Sequence, residues 1–168
     1  VEFLLKSGET RTILITSAHP SEGKSVTSAN LAVALATSGS TVVLVNADMR
    51  RPSLEQLFGT EIGAPGLSTY LGGLTDELPY VRIPELPNLV LVPAGPSPSN
   101  PGELLNSPRF QSLVKEISEQ TDVLIIDTPP MGATADSAAV AQMVDGVLVV
   151  VDAKSASTGD LALVRGDL

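Results

Sequence analysis

The feature that most constrains this chain is a loop, Ser17 to Ser25, reading SAHPSEGKS between two segments of opposite character. Ahead of it, Thr12-Ile13-Leu14-Ile15-Thr16 is short, apolar and β-branched, the composition of a buried strand. Behind it, Ser28 to Ala36 is rich in small residues that suit a helix. A strand that turns straight into a helix around Gly23-Lys24-Ser25 presents backbone N–H groups and a helix N-terminus to an anion, an arrangement that cradles phosphates. In that cradle Lys24 supplies a mobile positive charge and Ser25 a hydroxyl for Mg²⁺, while Ala18, Pro20, Ser21, Glu22, Gly23 and Val26 complete the wall. The strict pattern G-x-x-x-x-G-K-[ST] is departed from at Ala18, which stands in place of the first glycine.

The remaining apolar runs supply a sheet for this loop to sit on. Thr41 to Asn46, Leu89 to Val92, Asp122 to Asp127 and Gly146 to Val151 read as further strands, separated by helical segments over about Lys24 to Thr37, Ser53 to Phe58, Ser107 to Gln120 and Ala135 to Met143. Gly39 is placed as the cap that ends the first helix. Gly59 to Tyr80 reads as a glycine-punctuated connection, and Pro93 to Pro98 as a loop that no helix can occupy. Val1 to Leu5 resembles the tail of a helix, followed by a turn at Lys6 to Glu9, and Ser157 to Leu168 an unfinished helix. Alternating strands and helices predict an α/β domain, a mostly parallel sheet with helices on both faces, spanning 1–168 as one unit cut from a longer protein. Aromatic content of 3% fits a core of Val, Leu, Ile and Ala, which doubly covered strands require.

Charge and composition narrow the ligand. A net charge of -9 is opposite to the basic footprint of a nucleic-acid binder but leaves ATP open, because a nucleotide is held by local amides, a lysine and a metal. Without cysteine there is neither a disulfide frame nor a thiolate metal site. Two acidic residues close strands at the sheet edge where α/β proteins bind ligands. Asp127 ends the run Val123 to Ile126, in the manner of a Walker B motif, and is read as the carboxylate that holds Mg²⁺ with Ser25. Asp48 follows Thr41 to Asn46 and is read as a group that orients the nucleophile or a metal-bound water; Arg50 and Arg51 beside it are read as contacts to phosphate or to a neighbouring subunit, with solvated charge as the alternative. The lone histidine, His19, is expected to point outward, and Tyr70 and Tyr80 read as packing residues.

Three stretches together resemble a known family: Ser17 to Ser25, then Leu44-Val45-Asn46-Ala47-Asp48-Met49-Arg50-Arg51-Pro52, then Leu124-Ile125-Ile126-Asp127-Thr128-Pro129-Pro130, supported by Val92 to Leu105. The family is that of the bacterial tyrosine autokinases of capsule and exopolysaccharide synthesis, P-loop NTPases related to the MinD and ParA ATPases. The resemblance implies MgATP-dependent phosphorylation of tyrosines, with Lys24, Asp48 and Asp127 catalytic and Asn46 beside the nucleotide. It also implies self-association, activation by the cytoplasmic segment of a membrane protein, and a place at the inner face of the bacterial plasma membrane. Two other readings stay open: an ATPase switch of the MinD or ParA kind, disfavoured because His19 stands where those proteins carry a signature lysine, and a nucleotide-binding module with little turnover. The family's second motif has Asp where this chain has Asn46, so Asn46→Asp is expected to raise turnover if the loss of that charge merely weakens the site.

Overall fold

The computed structural model describes residues 12–131 and 136–153. In chain order these form β1 (Thr12–Ser17), α1 (Lys24–Thr37), β2 (Val42–Asn46), α2 (Leu54–Leu57), α3 (Leu67–Leu71), β3 (Val81–Ile83) and β4 (Leu86–Val92). They continue with α4 (Pro101–Leu105), α5 (Pro108–Gln120), β5 (Val123–Asp127), α6 (Asp136–Ala141) and β6 (Gly146–Val150). The helix tail expected over Val1 to Leu5, its turn at Lys6 to Glu9, and the helix expected over Ser157 to Leu168 lie outside the described residues.

The strands lie side by side in the order β3-β4-β2-β5-β1-β6. Every pairing is parallel except that of β3 with β4. Alternation along each central strand feeds two cores, one on each face. Ile13 and Ile15 of β1 and Val123 and Ile125 of β5 pack with Ala29, Ala32 and Leu35 of α1 and with Leu54 of α2. Leu14, Leu124 and Ile126 point the other way, onto Phe110, Leu113 and Val114 of α5 and Leu67 and Leu71 of α3. The small residues of α1 are therefore what let this helix lie close on the sheet.

Local signals fix the helix ends. Past α1 the backbone turns left-handed at Gly39 (φ 101°), with Gly39 N–H bonded to Ala36 O and Ser40 N–H to Leu35 O. Ser107 caps α5 by accepting the Phe110 N–H, and Pro108 occupies its first turn.

The structure departs from the sequence reading in the middle of the chain. The connection Gly59 to Tyr80 contains α3, and the strand read at Leu89 to Val92 is the end of a longer β4 preceded by the antiparallel β3. Gly66 leads into α3, which is seated by Leu67 N–H to Pro93 O and Ser68 N–H to Ala94 O. Among the described residues no helix is long and apolar enough to cross a membrane.

Candidate functional site

Because Ile125 faces α1, Asp127 two residues further on faces the same way and arrives over the first turn of that helix. There Ser25 Oγ donates to Asp127 Oδ2 at 2.7 Å. Ser28 Oγ, about one turn along, lies 2.9 Å from both Asp127 Oδ1 and the Lys24 carbonyl oxygen. Lys24 Nζ is 2.8 Å from Asp48 Oδ2, 3.7 Å from Asp127 Oδ2 and 3.1 Å from Ser25 Oγ. One buried ammonium thus serves two buried carboxylates. Burial pushes Asp127 above the ordinary carboxylate value of 3.8; Lys24 and the Ser25 and Ser28 hydroxyls pull it back, and the Asp48 charge adds to the rise.

The loop itself holds two left-handed residues, Ser21 (φ 68°) and Gly23 (φ 88°), and Ser21 is the one non-glycine of that kind among the described residues. Ala18 is not left-handed; its methyl is buried against Met131 and Val149. The missing first glycine is therefore no conformational defect. Glu22 braces the loop by accepting the His19 N–H at 2.7 Å and the Asp152 N–H at 3.2 Å, and His19 is exposed as expected. Gly23 gives α1 no side-chain cap, and its first turn carries no acidic residue, which leaves the positive end of the helix for a ligand.

A cavity of about 620 Å³ opens at this end of the sheet. Pro20, Ser21, Gly23, Lys24, Ser25 and Val26 line one wall, Asp48, Arg50 and Arg51 another, and Pro129 and Pro130 a third. Asp127 lies beneath Ser25, fully buried. Of the residues read from the sequence, Ala18, Glu22 and Asn46 are not part of the wall. Asn46 is fully buried beside Asp127 in the β2–β5 register, with its carboxamide turned to Glu55 and to the Asp48 N–H. Tyr70 is half-buried with Arg109 stacked 4.2 Å over its ring, whereas Tyr80 is exposed.

Two residues went unread in the sequence. Ser28 had a signal in its spacing, since a position three past Ser25 on a helix shares its face. Glu55 had none: an acidic residue in a short helix ordinarily faces water, and its burial follows from the tertiary contacts of β2 and of the chain after β4.

The residues fit a magnesium nucleotide. A hydroxyl and a carboxylate side by side are the hard oxygen donors Mg²⁺ takes when it keeps waters and phosphate oxygens for its other positions. The uncapped helix end with Lys24 above it suits the phosphates.

Comparison with known proteins places the chain among relatives of shared sequence and fold. The ParA family model, described as NUBPL iron-transfer P-loop NTPase, matches residues 9–75. Tyrosine-protein kinase ptk of Acinetobacter johnsonii is 38% identical over 150 residues, 89% of this chain but only 20% of that protein. Putative tyrosine-protein kinase CapB of Staphylococcus aureus is 31% identical over 166 residues, 99% of this chain and 72% of that one. The kinase domain of the Escherichia coli tyrosine kinase ETK superposes with a TM-score of 0.91 at 31% identity, covering 98% of this chain and 64% of that one. The septum site-determining protein MinD of Pyrococcus horikoshii, solved with Mg-ADP, shares the fold at 22% identity and a TM-score of 0.75, over 95% of this chain and 67% of that one.

Proposed function

The chain belongs to the bacterial tyrosine-protein kinase family, and from that membership we propose that it binds MgATP and transfers the terminal phosphoryl group to tyrosine hydroxyls. The observation that carries the proposal is the convergence of Lys24, Ser25, Asp48 and Asp127 at one uncapped helix end. MgATP supplies the phosphoryl group and the cation that spreads its charge. Lys24 leaves Asp48 to hold phosphate oxygens, and Ser25 with Asp127 holds the cation. Asp48, released from Lys24, orients the acceptor hydroxyl and takes its proton as the new P–O bond forms and ADP departs. Arg50 and Arg51 add positive charge at the cavity rim.

The same membership supports a wider reading. The acceptor tyrosines are offered by a second molecule, the activator is the cytoplasmic part of a membrane protein, and the process served is polysaccharide synthesis or export at the inner face of the plasma membrane. The deciding experiment incubates the chain with labelled MgATP and a tyrosine-rich peptide. Phosphotyrosine with ADP supports the proposal. ADP alone replaces it with an ATPase switch, and bound nucleotide with neither product replaces it with a binding module.

A further inference from the structure

Asn46 is fully buried, and both ends of its carboxamide are used. Nδ2 donates to Glu55 Oε2 at 2.8 Å, and Oδ1 accepts the Asp48 N–H at 3.2 Å. Glu55, also buried, accepts the Ala94 N–H at 2.7 Å with its other oxygen. The bonds run without a break from the chain after β4, through α2 and the end of β2, to the residue paired with Lys24.

We propose that Asn46 and Glu55 are a matched pair of positioning residues, a donor set against an acceptor, which holds Asp48 in register with Lys24. Both Glu55 oxygens accept, so both of its neighbours must donate. Asn46→Asp sets acceptor against acceptor and leaves two buried carboxylates face to face, the costly kind of burial. Glu55→Gln sets its new amide nitrogen against one of two donors, the Asn46 Nδ2 or the Ala94 N–H. With both substitutions together, the new amide donates to the new carboxylate and its oxygen accepts the Ala94 N–H. The other carboxylate oxygen still accepts the Asp48 N–H, and the pair keeps one negative charge. This reverses the expectation drawn from the second motif alone, that a carboxylate at position 46 would improve the site.

The inference rests on the phosphotransfer reading for its catalytic readout, and its test is built to separate the two. Wild type, Asn46→Asp, Glu55→Gln and the double variant are compared for MgATP turnover, nucleotide affinity and melting temperature. Each single change is expected to lower turnover about tenfold or more, because a displaced Asp48 loses its alignment. Each also lowers the melting temperature, and the double variant recovers to within about threefold of wild-type turnover. An Asn46→Asp protein as active as wild type, or a double variant no better than the worse single, overturns the pairing. A wild-type chain that makes neither phosphotyrosine nor ADP removes the phosphotransfer reading instead. The four melting temperatures and nucleotide titrations then decide: reciprocal rescue supports the pair, and additive losses overturn it.

Discussion

Lys24 and Asp48 form a buried ion pair at 2.8 Å, and the same ammonium stands 3.7 Å from Asp127. The lysine that the loop sequence assigns to a phosphate is thus already satisfied by protein carboxylates, and nucleotide must compete for it.

Lys24→Met is expected to reduce turnover at least a hundredfold, on the scale of losing one preorganised charge stabiliser. It also weakens nucleotide binding. The fold survives, but at a stability cost of about 3 kcal/mol or less, since the buried carboxylates lose their counter-charge and a proton on Asp127 offsets part of it. Nucleotide titration and thermal melting measure both effects; an unchanged titration removes Lys24 from the site.

Asp127 carries a pH signature. Its folded value lies above 3.8, chiefly because burial disfavours the charge, so the folded chain binds the proton more tightly than the unfolded one. Its contribution to stability is intact below the unfolded value and is lost as pH rises through the raised folded value. Asp127→Asn removes that loss. The stability difference between variant and wild type, measured without magnesium by denaturant unfolding from pH 3 to 8, is expected to shift in favour of the variant as pH rises; a flat difference counts against the assignment. Phosphotransfer by the variant is expected to collapse over the whole range, because the carboxylate proposed to hold the cation is gone.

Ala18→Gly restores the strict loop pattern and is expected to do harm. Ala18 has an ordinary backbone and a buried methyl, so glycine removes packing and adds freedom to the unfolded chain, about 1 kcal/mol together. A lower melting temperature with nucleotide affinity retained is the expected result.

Gly66→Ala tests how α3 is seated. A methyl there overlaps the Pro93 carbonyl oxygen and stands 2.6 Å from the Gly95 nitrogen, so the backbone must shift, at about 1–3 kcal/mol. Ala94 lies between those two residues and donates to Glu55, so turnover is expected to fall along with the melting temperature.

The sequence was most legible where one physical signal acted alone. β1, β2, β5 and β6 are apolar runs in a doubly covered sheet, and α1 begins at the lysine of its own loop. Lys24, Ser25, Asp48 and Asp127 were readable because loop and strand-end chemistry fix their spacing. What escaped was built by tertiary contact. α3 is five residues between glycines, and β3 is three residues between prolines, too short for any periodicity to register. The Asn46–Glu55 bond has no local signal either, because Glu55 lies in a different element and is drawn inward by the Ala94 N–H and the Asn46 carboxamide.

The antiparallel β3 bears on how copies of this chain can meet. It is three residues long, its register with β4 slips between Arg82 and Ile83, and its exposed Arg82 lies over the Tyr80 ring. A short, irregular, charged border is a poor template for an incoming strand. Sheet extension across two molecules is therefore disfavoured on that flank, which leaves β6, at the opposite border of the described sheet, as the edge open to it.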